Sequence, residues 1–173
     1  MSNANKLGAL GVLISDATDA ALGELSPSAA ALLLTLHQSP NLTVTQLAKV
    51  AAVAQPTAVR LLDGLVRRGW VDRHDRIGRT VPLALTEAGA TRAQSLLTAR
   101  LKVLDRLLAA LPEPDQAAFE RAVDQVLAAA TTSRAFARTV CRMCDHTTCD
   151  GPRCPVGTRA TEIERQSERN GRC

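Results

Sequence analysis

The stretch TVTQLAKVAAVAQPTAVRLLDGLVRRGWVDR, residues 43–73, decides the fold. It opens on Thr43-Val44-Thr45-Gln46, a T-x-x-Q capping box in which side chain and backbone satisfy each other's donors at the start of a helix. That helix is expected to reach about Val50, with Ala51 to Ala54 as a tight connection. Gln55-Pro56 then begins a second helix running to Arg68, and Gly69 closes it in the left-handed conformation. Trp70-Val71 reads as a short strand, Asp72 to Gly78 as a polar turn, and Thr80 to Leu85 as a returning strand, where Pro82 implies an edge position. Helix, tight turn, helix and two-stranded hairpin, in that order, make a winged helix-turn-helix.

The physical need behind this order is specific. A helix that enters the major groove must be held from behind by another, with its N-terminal residues facing base edges. Leu47, Val50, Val59, Leu62, Leu65 and Val66 supply the expected buried side, while Gln55, Thr57, Ala58, Arg60, Asp63 and Arg67 fall mainly on the other. Gln and Arg suit bidentate reading of adenine and guanine. The hairpin adds Arg73, Arg76 and Arg79, a basic loop of the kind that follows the backbone or enters the minor groove. Between Gln55 and Thr80 six Arg stand against three Asp, the local excess expected of a phosphate-binding strip. Charge alone fits a solvated helix face equally well, and a winged helix also serves protein contacts.

Outward from this core the chain is helical. Leu7, Leu10, Ile14, Ala17, Ala21 and Leu25 follow a 3–4 spacing that predicts an amphipathic helix over about 6–23. Ser26-Pro27 restarts the chain, and Ala29 to Gln38 is apolar almost all round, which marks a central buried helix. Thr86-Glu87 caps a long helix over about 88–111 with a leucine stripe. Pro112-Glu113-Pro114 breaks it before a last helix from Asp115 to about Val140. The outer helices carry more apolar surface than one small winged helix covers, which points to a homodimer interface.

Composition agrees. Hydrophobic residues make up 46% of 173, aromatics only 2%, and the net charge is +4. Few aromatics argue against modules that stack single-stranded bases. The N-terminus lacks the features of a signal peptide, and no segment approaches the apolar length of a membrane span, so a cytoplasmic protein with no membrane partner is expected. We found no Ser/His/Asp set, paired acids or phosphate loop, so the chain does not read as an enzyme.

The segments AQPTAVRLLDGLVRRGWVDR (54–73) and VPLALTEAG (81–89) resemble the MarR family of bacterial regulators, in which a helix–turn–helix is followed by R-G-hydrophobic-V-x-R, a basic wing and L-T-x-x-G. The resemblance covers about residues 5–138 in element order and is most specific over 54–89. It implies a two-fold dimer built from the N- and C-terminal helices, binding a pseudopalindromic operator on double-stranded DNA. It further implies repression relieved by a small-molecule effector or by cysteine oxidation. On this match Gln55, Pro56, Thr57 and Arg60 fall at the base-reading start of the recognition helix, and Arg76 and Arg79 on the wing. The family wing commonly reads D-[GR]-R before the returning strand. Here Ile77-Gly78-Arg79 holds that register and Asp75-Arg76 sits two positions early.

The last fifth of the chain is of another kind, a run of Cys, Gly, Pro and polar residues expected to be too short and irregular for a second apolar core. Cys141, Cys144, Cys149 and Cys154 form a C-x2-C-x4-C-x4-C array, with no cysteine before them. In a reducing compartment such a cluster points to metal or redox chemistry rather than static disulfides. A zinc knuckle is the leading reading, because C-x2-C aims two sulfurs at one ion. An iron–sulfur cluster is the alternative: Cys154-Pro155 matches ferredoxin ligand runs, whereas the x4 spacings do not. Metal-free thiol–disulfide sensing and an incidental tail are the remaining readings. Arg142 and Arg153 beside the sulfurs favour thiolates. Cys141-x-x-Cys144 as a thiol oxidoreductase lacks its βαβ context. His146 is either a substitute ligand or solvated, and Cys173 is a spare thiol or a frayed end.

The expected architecture is therefore mainly α, a winged helix-turn-helix with N- and C-terminal helices forming a dimerisation domain. Its segments are 1–25 (dimerisation helix), 26–86 (DNA-binding domain), 87–140 (dimerisation helices) and 141–173 (cysteine-rich tail). The sequence suggests that a change at 141–157 would move the last dimer helix and so the spacing of the two recognition helices.

Overall fold

In the computed structural model, residues 2–74, 81–149 and 151–170 are described. The helices are α1 (Asn3–Ala20), α2 (Pro27–Gln38), α3 (Val44–Val50), α4 (Gln55–Arg67), α5 (Glu87–Leu108), α6 (Glu113–Ala130), α7 (Arg134–Val140) and α8 (Pro155–Asn170). Between α4 and α5 lie β1 (Val71–Arg73) and β2 (Leu83–Leu85), paired antiparallel with Val71 opposite Leu85 and Arg73 opposite Leu83. This is the expected winged helix-turn-helix. None of the described helices is long and apolar enough to cross a membrane.

The sequence dictates this order through caps. Ser26 accepts from the Ala29 amide and Pro27 opens α2, where Ala29 to Leu36 are all buried. This is the axis of the main core. Around it pack Leu47 of α3, Leu62 and Leu65 of α4, Val71, Leu83, and Leu96 and Leu97 of α5. The capping box at α3 is complete: the Gln46 amide donates to Thr43 Oγ1 at 3.3 Å, and the Thr43 amide to Gln46 Oε1 at 2.8 Å. Thr43→Ala should cost about 1 kcal/mol. On a chain of this size that lowers Tm by roughly 2–4 °C, read by circular dichroism.

The structure departs from the sequence expectation in three places. On α4 the buried residues are Ala58, Leu62, Gly64 and Leu65, while Val59 is exposed. The helix is thus rolled by about one position: Ala58, Leu62 and Leu65, at i, i+4 and i+7, share the face toward α2. The expected single helix over 115–140 is two. Thr131 takes extended dihedrals, and Ser133 then caps α7 by accepting from the Phe136 amide at 3.1 Å. Finally, the tail does build a core. Ala137, Cys154, Val156 and Ala160 are buried together, with Leu127, Cys141 and Cys149 against them, because α8 packs on both α6 and α7.

Candidate nucleic-acid interface and cysteine cleft

The helix-turn-helix runs through α3, the turn 51–54 and α4. Ala52 holds the turn with φ +55°, and the Val53 amide donates to the Ala48 carbonyl at 3.0 Å. α4 starts at Gln55 with Pro56 in its first turn, and Ala54 offers no side-chain cap. Gln55, Pro56 and Arg60 are exposed there, and Thr57 is half-buried. Arg67 is exposed further along the helix. Among the described residues neither Arg60 nor Arg67 pairs with a carboxylate.

Arg73 is different. Its guanidinium pairs with the Asp63 carboxylate, tying β1 to α4. A residue expected to reach DNA thus also braces the wing against α4. Arg76 and Arg79 lie outside the described residues.

The base of the wing is a dense joint. The Gly69 amide donates to the Val66 carbonyl and the Trp70 amide to the Leu65 carbonyl, the paired bonds of a Schellman ending, with Gly69 at φ +69°. Thr86 caps α5 by accepting from the Gly89 amide at 2.9 Å. Its hydroxyl donates to the Gly69 carbonyl at 2.6 Å, and its amide to the Trp70 carbonyl at 3.1 Å. A Cβ on Gly89 would stand 1.9 Å from that same Trp70 oxygen. The L-T-x-x-G motif is therefore the joint itself: one Thr caps a helix and pins the wing, and one Gly lets helix and wing touch. Arg68 and Arg92 lie over the Trp70 ring at 5.8 and 5.6 Å.

The second site is a cleft of about 690 Å³ lined by Cys141, Cys144, Cys149 and Cys154, together with Gln38 and His146. None of these four thiols is in a disulfide. Local geometry explains their approach. Cys141 ends α7, and a turn returns the Cys144 amide to the Cys141 carbonyl at 3.0 Å. Asp145 accepts from the Thr147 amide and hydroxyl, and its carbonyl accepts from the Cys149 amide at 2.9 Å, which curls the loop back. Those bonds to Thr147 hold the Asp145 carboxyl below the usual range. Cys154 precedes α8, and its sulfur accepts from the Gly157 amide at 3.2 Å.

Cys141 and Cys144 are hydrogen-bonded to one another. The hydrogen bond from Cys141 lowers Cys144 to about 6 against the penalty of burial, with help from the charges of Arg100 and His146. The same bond raises Cys141, as do burial and the neighbouring sulfurs of Cys144, Cys154 and Cys149. Among the described residues no three His, Cys, Asp or Glu side chains form a group that could hold a metal ion as they stand. Cys173 lies outside the described residues.

The cleft is fastened to the helix-turn-helix, a connection that the sequence did not reveal. Gln38, the last residue of α2, donates to the Cys144 carbonyl. Arg100 of α5 donates to the Met143 carbonyl at 3.2 Å, and the Met143 side chain packs on the main core. α7 rests on α3. On the other side Arg134 forks onto Glu164 and reaches the Thr161 hydroxyl, locking α7 to α8.

Together these features define a winged helix-turn-helix protein in which α4 keeps an exposed face. The particular fold is that of the MarR regulators, and the MarR family model matches residues 25–76. At the family level these are transcription regulators, not enzymes. Among solved structures, MepR, a transcription regulator of the Staphylococcus aureus multidrug efflux pump MepA, is similar with a TM-score of 0.68 at 18% identity, over 75% of this chain and 98% of that one. The Mycobacterium tuberculosis MarR family protein Rv2887, in complex with DNA, is similar at 0.61 and 27% identity, over 73% and 98%. MarR from E. coli in its apo form is similar at 0.58 and 25% identity, over 70% and 96%. No curated protein matches the sequence.

Proposed function

We propose that the chain is a sequence-specific DNA-binding transcription regulator, acting as a repressor, that binds a pseudopalindromic operator as a homodimer and answers to a metal or redox signal at its four cysteines. One observation carries the reading: the N-terminal end of α4 leaves Gln55 and Arg60 exposed and Thr57 half-exposed, while α2, α3 and β1 hold the helix from behind. The complex of Rv2887 with DNA supports it. The second half of the proposal, a dimer, follows from apolar residues the single chain leaves in water. Leu7, Val12 and Leu13 on α1 and Val126 on α6 are each more than half exposed, and α6 has no buried residue.

Binding should select a duplex with two related half-sites about one helical turn, roughly 34–36 Å, apart. The test is enrichment from a random duplex library, followed by mass measurement of the complex. Two chains on a two-fold symmetric site are expected. Enrichment of asymmetric sites bound by one chain would sink the dimer, and no enrichment would sink the regulator reading.

A second reading of the signal has its own observation. An apolar pocket of about 350 Å³ lies between the α2–α3 end and α7, lined by Leu42, Val50 and Ala135 with Lys49, Arg138 and Arg142 at hand. That volume suits a small organic anion. Rv2887 has been solved with salicylic acid and with p-aminosalicylic acid. In this reading an effector of that class gates DNA binding, and the cysteines hold a structural zinc.

A further inference from the structure

We infer that Cys141 and Cys144 form a reversible dithiol switch, closed by exchange with a small disulfide that carries carboxylates and docks in the cleft between α7 and α8. This rests on the regulator reading above and names its signal.

The backbone sets the pair. Cys141 ends α7, and the Cys144 amide donates to the Cys141 carbonyl at 3.0 Å. A turn closed by that bond holds its end Cα atoms within about 7 Å, the span that a disulfide bridges. The two sulfurs already meet in a hydrogen bond, and both residues are half-buried on the wall of the cleft. Cys144 receives that bond and lies in the field of Arg100 and His146, which makes it the attacking sulfur. Cys154 has another task. It is buried at the start of α8, where its sulfur accepts from the Gly157 amide at 3.2 Å.

The cleft names the oxidant. Its volume of about 690 Å³ falls within the roughly 300–1,000 Å³ of sites that take a whole organic ligand, far more room than a peroxide fills. Its charged lining is unbalanced. Arg134 is engaged by Glu164, and Glu162 by Arg159. Arg138 and Arg165 line the same cleft with no ion pair among the described residues, Arg138 acting on Glu164 only through its field. Guanidinium groups of this kind grip carboxylates.

The exchange balances without a further oxidant. The Cys144 thiolate attacks one sulfur of the docked disulfide, whose S–S bond breaks. A mixed disulfide forms at Cys144, and the first thiolate leaves and takes a proton from water. Cys141 then attacks the Cys144 sulfur, and the second ligand thiol leaves with the Cys141 proton. Two protein thiols are oxidised to a disulfide, and one ligand disulfide is reduced to two thiols.

A strap carries the change towards α4. The same turn is held by Gln38 of α2 through the Cys144 carbonyl and by Arg100 of α5 through the Met143 carbonyl. The Thr139 hydroxyl reaches the Lys49 carbonyl at the end of α3 at 3.5 Å. Closing the pair draws two sulfurs from hydrogen-bond contact to a bond of about 2.0 Å. The turn tightens at the residues that α2 and α5 hold, behind the helices that aim α4.

The experiment treats the reduced full chain with glutathione disulfide, which carries carboxylates, and with cystamine, a cationic disulfide without them. Peptide mapping by mass locates the products, and affinity for the enriched duplex is measured on reduced and oxidised protein. A Cys141–Cys144 disulfide within one chain is expected. Cys141→Ser should stop the reaction at glutathione bound to Cys144, and Cys144→Ser should leave Cys141 unreacted. Cys149→Ser and Cys173→Ser should react as the parent does. Arg165→Ala should slow glutathione disulfide at least about fivefold and leave cystamine unchanged. Duplex affinity should differ at least about fivefold between the two states, and Gln38→Ala should shrink that ratio. Closure through Cys149, Cys154 or a second chain overturns the pair. Closure by hydrogen peroxide but not by glutathione disulfide overturns the exchange, and equal slowing of both disulfides by Arg165→Ala overturns the docking. Equal duplex affinity in both states overturns the strap. Absence of duplex binding in both states defeats the regulator reading, while the peptide map still decides the pair by itself.

Discussion

Gly89→Ala is expected to destabilise the chain at or above the roughly 3 kcal/mol upper end of ordinary overpacking. The added methyl would stand 1.9 Å from the Trp70 carbonyl oxygen and 2.8 Å from its carbon, both backbone atoms. A flexible side chain would swing aside, but this neighbour is fixed on every side. The Trp70 carbonyl accepts from the Thr86 amide, the Trp70 amide donates to Leu65, and Thr86 is bound to Gly69. Relief therefore requires α5 to retreat from the wing, opening the core at Val71, Leu83 and Leu96. For a chain of this length Tm should fall by roughly 6–12 °C. Thermal denaturation followed by circular dichroism checks it. A melt that matches the parent would mean that helix and wing do not approach this closely.

Arg60→Ala is the second, and its effect falls on recognition instead of stability. Arg60 is exposed on the first turns of α4 and, among the described residues, pairs with no carboxylate, so its loss leaves the fold intact. Affinity for the enriched duplex should drop by about 1–3 kcal/mol, a factor of roughly 5–150. Base preference at one position in each half-site should relax. Fluorescence anisotropy on specific and random duplexes separates the outcomes. Equal weakening on both would assign Arg60 to phosphate, with the salt dependence reduced accordingly.

Most of the helix-turn-helix was legible in the sequence because its signals are local. The capping box Thr43–Gln46, Pro56 in the first turn of α4 and Gly69 after its end act within a few residues of themselves. The roll of α4 was less so. Val59 and Ala58 are neighbours, and which of them faces α2 is set by packing that no single helix encodes. The break at 131–133 hid behind good helix formers on either side. Its signal was Ser133, a capping residue inside an apparent helix. α8 was missed for a related reason. Its sequence, PVGTRATEIERQSERN, is polar apart from Val156, Ala160 and Ile163, so an apolar count finds no element. Yet Cys154-Pro155 marks a helix start, and a few small residues suffice to seat it on α6 and α7. The strap from Gln38 and Arg100 to the cysteine turn was illegible altogether, since it joins side chains to carbonyls 106 and 43 residues away.

Trp70 is the only tryptophan of the chain. Two guanidinium groups, of Arg68 and Arg92, lie over its ring at the junction of α4, the wing and α5, and Arg92 also reaches the Leu22 carbonyl at the α1–α2 turn. Its fluorescence therefore reports one place alone, the joint where α4, the wing and α5 meet. The molecule carries a built-in optical gauge of that joint, readable in the unlabelled protein.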